Sequence, residues 1–292
     1  MQTVLTAIAS VRPAVVQAYQ NLAVVPLVRQ NGHQGLECLV LEEAEQRGLT
    51  IVETKLVEEL DVENNTGQDV VLIAGEIITG GAQNRMVAAN AYVAAGYNGK
   101  IPVRCVEQHR WDRSRGSRFS GHGGHAPTTI VGAAHDQREV WRNVNETLTL
   151  TSLHSLTGDL TTLYGQKDGE LADTASHFRL LPNQVGIVAV MGFEDGKKFA
   201  LDLFDSPEIM RRHYGKLLQA RAAEAMTYGP KTLRVEMPEV ALFLNDLKNA
   251  QFTERSRISA GTDYTLTAPG SEGSALIRGD TVVYVSAVSR QL

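Results

Sequence analysis

The chain is 292 residues long, 43% hydrophobic and 21% charged, an ordinary balance for a globular protein of one large domain or two fused units. A formal net charge of -5 argues against broad nucleic-acid binding, which needs a basic surface to displace counterions. No apolar run approaches the ~20 residues of a membrane helix, so neither nucleic acid nor membrane is an expected partner.

The first residues lack a basic n-region and run into Arg12-Pro13, a poor signal peptide. Cys38 and Cys105 are the only cysteines, a sparse usage that suits a reducing compartment, and a cytoplasmic location is expected. Leu22–Val28 then reads as a strand. Residues 39–47 carry a short helical pattern that Gly48 stops. Leu49–Glu53 and the segments 55–63, 70–76, 85–93 and 101–107 are strand candidates. Their punctuation is Asn64-Asn65-Thr66-Gly67, Gly80-Gly81 and Tyr97-Asn98-Gly99.

Residues 112–136 break this pattern. Arg113, Arg115 and Arg118 sit among glycines, serines and His122, His125 and His135 with little apolar periodicity, so a long loop is expected, able to serve as a lid. Helical patterns follow at 138–150 and 169–181. Residues 185–192 and Lys197–Phe204 read as a hairpin around Glu194-Asp195-Gly196. Ser206-Pro207-Glu208 opens the clearest helix, with Ser as N-cap and Glu favouring the dipole. A further helix is read at 238–250, and a closing hairpin turns at Gly279-Asp280. The expected fold is α+β, a mainly antiparallel strand-rich layer with helices mostly from the second half. It is read as a single domain over 1–292, since no linker composition divides it.

Alternation along strands identifies candidate chemistry, because every second residue shares a face. Leu49, Ile51 and Glu53 form one row; Val70, Leu72, Ala74 and Glu76 a second; Ile101, Val103, Cys105 and Glu107 a third. If these rows face the core, three glutamates gather at its rim, where burial and mutual repulsion raise carboxyl pKa values. A two-residue loop at Gly80-Gly81 would pair Thr79 with Ala82, Ile78 with Gln83 and Glu76 with Arg85. Glu76 would then orient the Arg85 fork toward a phosphate or carboxylate, or the two would form a plain sheet ion pair. Where the last strand runs out, Glu107 is a candidate general base, Arg110 a phosphate ligand and Trp111 a stacking platform. A buried Glu–Arg pair capped by tryptophan is the structural alternative. Cys105, in parity with Ile101 and Val103, reads as packing rather than as a nucleophile.

His122-x-x-His125 has metal-like spacing but no third ligand fixed by pattern, so no metal is assigned. Gly121-His-Gly-Gly-His-Ala126 matches the dinucleotide glycine fingerprint in letters only; it neither follows an expected strand nor opens a helix. No cofactor is assigned.

Gly80-Gly-x-Gln-Asn-Arg85 followed by Ile101-Pro-Val-x-Cys-Val-Glu-x-x-Arg-Trp111 resembles the domain family named for its association with ADP-ribosylglycohydrolases and rhodanese/phosphatase proteins. The resemblance covers 21–140 well and the remainder loosely. It implies a link by context to NAD and ADP-ribose metabolism. The metal-binding aspartate pairs of the glycohydrolases have no counterpart here, so the chain does not look like that hydrolase. The leading reading is an enzyme, a hydrolase, acting on an ADP-ribose-like or other phosphorylated nucleoside metabolite. In it Glu107 is acid or base with Glu76 nearby, Arg85 and Arg110 bind phosphate, Gln83 and Asn84 the sugar, and Trp111 stacks. The rivals are a non-catalytic sensor of the same anionic small molecule and a structural or assembly module.

Overall fold

A computed structural model describes residues 2–29, 35–54, 56–112, 117–192, 196–229 and 232–290. The chain forms two compact units: Met1–Leu36, Ala172–Arg257 and Thr262–Leu292 make the first, and Glu37–Leu171 with Ile258–Gly261 the second. The fold is α+β and its sheets are mostly antiparallel. Among the described residues no helix is long and apolar enough to cross a membrane.

The first unit opens with helix α1 (Gln2–Ala9) and strands β1 (Arg12–Pro13), β2 (Gln17–Tyr19) and β3 (Leu22–Val28), the last spanning the residues its apolar run predicts. The chain then enters the second unit through β4 (Leu39–Val40), α2 (Leu41–Arg47), β5 (Leu49–Glu53), β6 (Glu59–Asn64) and β7 (Val70–Leu72). There follow β8 (Glu76–Gly80), β9 (Arg85–Val87), β10 (Ala91–Val93), β11 (Asn98–Cys105), β12 (Arg118–His125), α3 (Thr128–Gly132) and α4 (Gln137–Leu150). Helix α5 (Thr161–Ser176) leads back to the first unit. Beyond it lie β13 (Gln184–Gly192), β14 (Lys197–Phe204), α6 (Pro207–Thr227), α7 (Met237–Leu247), β15 (Gln251–Ile258), β16 (Gly261–Thr267), β17 (Ser271–Arg278) and β18 (Thr281–Ser289).

In the first unit one antiparallel sheet runs β1-β3-β13-β14-β18-β17-β16-β15, with β2 also on β3. Alternation divides its faces. Val25, Leu27, Val188, Val190, Leu201, Leu203, Ala275 and Val285 form an apolar face that packs with Val4 and Ile8 of α1 and Val240, Phe243 and Leu247 of α7. The long helix α6 packs against β13, β14 and β3. Ser206 caps it, its hydroxyl accepting from Ile209 N at 3.3 Å, as the Ser-Pro-Glu signature predicts. A buried ion pair joins Arg221 of α6 to Asp202 of β14 at 2.8 Å, and Tyr284 donates its hydroxyl to the same carboxylate at 2.6 Å. The hairpin of β13 and β14 also forms as expected; of its turn, Glu194 and Asp195 lie outside the described residues.

The second unit is a closed six-stranded barrel, β11-β6-β5-β12-β8-β9, beside a small sheet β10-β7-β4. Every barrel strand sends alternate apolar residues inward: Leu49 and Ile51, Leu60 and Val62, Ile78, Val87, Ile101 and Val103, and Phe119. The apolar members of two of the expected rows, Leu49 with Ile51 and Ile101 with Val103, therefore do line the interior, while β11 ends at Cys105, before Glu107. The third does not exist as one strand. The chain turns at Ile73–Gly75, Glu76 N donating to Ile73 O at 3.2 Å, so Glu76 opens β8 instead of closing β7. The expected loop over 112–136 is also corrected. Arg118–His125 is strand β12, which closes the barrel against β5 and β8, and Thr128–Gly132 is helical. Its glycines conceal it from apolar periodicity but let it lie close to β8. Residues 113–116, with Arg113 and Arg115, lie outside the described residues.

Candidate functional site

Gln83, Asn84, Arg85, Glu107, Arg110 and Trp111 converge on one mouth of the barrel, and Glu76 does not. Strand parity explains why. Glu53 continues the inward row of Leu49 and Ile51, Arg85 that of Val87, and Cys105 that of Ile101 and Val103; Arg85 and Cys105 are direct partners across β9 and β11. The hairpin register differs from expectation. Ile78 stands opposite Arg85 rather than Gln83, because residues 80–84 form a longer, internally bonded turn in which Gly80 N donates to Asn84 Oδ1 at 3.1 Å. This slide corrects the Glu76–Arg85 pairing. The partner of Glu76 across the sheet is His125, and its Oε2 accepts from Ile73 N at 2.9 Å.

Arg85 is wholly buried. Its Nη1 donates to Gln83 O and Oε1, both at 3.2 Å, and its Nη2 meets Glu53 Oε1 at 3.5 Å, a long contact for an ion pair. Its Nε is buried without a protein partner. The ring of Trp111 lies over the guanidinium, 5.8 Å from carbon to centroid, within cation–π range, and remains 48% exposed. Glu53 Oε1 also accepts from Ala82 N at 3.0 Å. Gly81 allows this approach: a Cβ there would lie 2.7 Å from Glu53 Oε1 and 2.6 Å from the Phe119 ring, and its φ of +53° adds strain for any other residue.

Glu107 and Arg110 brace the turn from the other side. Glu107, 3% exposed, accepts from Asn84 N at 3.1 Å and Arg110 Nε at 2.7 Å through Oε2, and from the Thr157 hydroxyl at 2.8 Å through Oε1. Arg110 spends its other nitrogens on Gly81 O at 3.0 Å and Asn84 Oδ1 at 3.1 Å. Asn84 Nδ2 reaches both oxygens of Asp159, at 3.2 and 3.1 Å, and Gln83 Nε2 reaches Gln108 O at 3.2 Å. Asp159 in turn binds Thr161 N at 2.9 Å, at the start of α5. Gln137, at the start of α4, pairs with both backbone groups of Cys105 at 2.8 Å. Burial pushes the Cys105 thiol up despite nearby Arg85, so a thiolate is disfavoured there.

The structure thus brings Gln83, Asn84, Arg85, Glu107, Arg110 and Trp111 together, and leaves Glu76 on a different backbone segment. The omitted member is Glu53. Its row was visible in the sequence, but only the correct turn length reveals that it, and not Glu76, meets Arg85. Toward the opposite mouth, His122 Nδ1 lies 3.6 Å from Glu45 Oε2. The buried ring of His125 has Nδ1 2.8 Å from Ala126 O and Nε2 3.0 Å from Ala74 O. Among the described residues no group of three or more His, Cys, Asp or Glu side chains is placed to hold a metal ion.

A closed antiparallel barrel with a carboxylate–arginine lattice and a tryptophan ring at one mouth defines the second unit of this α+β protein. The family model for ARPP-1, the ARG and Rhodanese-Phosphatase-superfamily-associated Protein domain, matches residues 10–288, and the chain belongs to that family. No curated protein and no solved structure matches it.

Proposed function

We propose that the chain is a recognition domain for an anionic, ring-bearing metabolite of the ADP-ribose type, bound at the Trp111 mouth and not turned over there. The carrying observation is the stack of an exposed Trp111 ring on the buried Arg85 guanidinium. The outer ring face suits a nucleobase, and the cation beneath it, with its unpartnered Nε, suits a phosphate. The family's association with ARG, read as ADP-ribosylglycohydrolase, supports the ligand class. Both cysteines are buried thiols, which fits a reducing cytoplasm.

The competing hydrolase reading gives Glu107 the proton transfer, with Glu76 beside it. Against it, Glu107 already holds Asn84, Arg110 and Thr157. A carboxylate so engaged fixes a turn more readily than it exchanges a proton with substrate. The test is calorimetric titration with ADP-ribose, AMP and ribose 5-phosphate, with mass spectrometry of the same mixtures. Trp111→Ala should weaken ADP-ribose binding by about 5- to 150-fold, the loss of about 1–3 kcal/mol of stacking. Equal affinity in Trp111→Ala would remove the site. A product that disappears in Glu107→Gln would establish hydrolysis in place of recognition.

A further inference from the structure

Glu53 Oε1 occupies a position that an external anion would fill. It lies 3.0 Å from the Ala82 amide at the tip of a turn and 3.5 Å from Arg85 Nη2. A backbone N–H and a guanidinium converging on one oxygen is the donor set that binds phosphate oxygens at turns and nests. The fit of Glu53 to it is incomplete. Its contact to Arg85 is long, Arg85 Nε goes unused, and the Glu53 side chain is 15% exposed while Arg85 is fully enclosed. Glu53 also ends β5, so its side chain can swing outward without breaking the barrel ladder.

We infer that Glu53 is a resident carboxylate that holds the anion subsite closed and sets its affinity, an incoming phosphoryl oxygen taking over the Ala82 amide, Arg85 Nη2 and the spare Nε. This rests on the recognition reading above. Ligand binding then exchanges one anion for another, and the Arg85 charge is never left bare. That exchange matters because an uncompensated buried guanidinium is strongly destabilising.

The experiment titrates inorganic pyrophosphate and ADP-ribose into the full chain and into Glu53→Gln, Glu53→Ala and Glu58→Gln. Glu58 is 64% exposed, 3.9 Å from Arg104, and removes an equal charge without touching the subsite. Glu53→Gln and Glu53→Ala should bind pyrophosphate at least tenfold tighter than the unaltered chain, and Glu58→Gln equally to it. Glu53→Ala should also melt lower than the unaltered chain and recover on adding pyrophosphate. If Glu53→Ala does not fold, Glu53→Gln decides, since its amide oxygen still accepts from Ala82. Pyrophosphate binding that is equal or weaker in folded Glu53→Gln, with ADP-ribose still bound, overturns the role of Glu53 and leaves the recognition reading standing. A matching gain in Glu58→Gln overturns it too, by reducing the effect to net charge. Absence of binding to every form overturns both.

Discussion

Glu45, on α2, is a carboxyl whose surroundings favour its proton. Burial raises its pKa, the neighbouring charges of Glu42 and Glu76 add to the rise, and His122, 3.6 Å away, opposes it. The consequence for stability has a definite sign. A carboxyl that binds its proton more tightly when folded contributes stability fully below its unfolded pKa of about 4.3, and loses it as pH rises through the folded value. Glu45→Gln imitates the protonated form at every pH. Its melting temperature should match that of the unaltered chain near pH 4 and exceed it at pH 7, the gap opening between the two pKa values. Parallel melting curves across that range would show that the carboxyl is not strained by burial. The same residue-level logic explains what sequence could not supply at the other mouth. Arg85, Gln83, Asn84, Glu107, Arg110 and Trp111 were all visible as chemically loaded positions in two short segments. Which carboxylate answers Arg85 depends on the number of residues in one turn, and Gly80-Gly81 admits a two-residue loop as readily as the longer one observed.

At the scale of elements, apolar alternation was legible wherever a strand is long and buried on one side. Leu49 and Ile51, Ile101 and Val103, and the β13–β14 hairpin follow it directly. It failed at β12, for a physical reason. That strand approaches β8 and α5 so closely at Gly121 and Gly123 that side chains are excluded there, and Gly124 has a φ of +91°, so glycines stand where an apolar row would otherwise announce a strand. A Cβ on Gly123 would lie 2.8 Å from Ile77 Cγ2 and 2.8 Å from Thr161 Cγ2, nearer than packed carbons allow. Gly123→Ala should therefore cost about 1–3 kcal/mol, the usual range for overpacking, read as a lowered urea midpoint with an unchanged slope. An unaltered midpoint would mean that the barrel does not close this tightly along β8. The break at Ile73–Gly75 was hidden differently. Val70 to Glu76 keeps its alternation through a turn, so the pattern alone gave one strand where there are two.

At the scale of the whole molecule, the second unit is an insertion in sequence, and its composition gives no sign of the division. Residues 37–171 leave and return within the first unit, and Ile258–Gly261 joins the second from far along the chain. That short segment is integral to it: Ile258 enters the barrel-side core, Ala260 N donates to Tyr92 O at 3.2 Å, and Ser259 Oγ accepts from Ala94 N at 3.0 Å. A ligand that binds only the folded second unit stabilises it by RT ln(1 + [L]/Kd), about 2.7 kcal/mol at a hundredfold excess over Kd. Hydrogen exchange reads where that free energy acts, because each amide opens with its own cooperative unit. With saturating ADP-ribose, exchange should slow at Ala82 and Asn84 beside the proposed site and also at Ala260, which is distant in sequence but bonded to β10. The Val188 amide, central in the β13 ladder of the first unit, should be unaffected. Equal slowing at Val188 would mean that the two units open together. Slowing at Ala82 without Ala260 would mean that the 258–261 segment opens independently of the barrel.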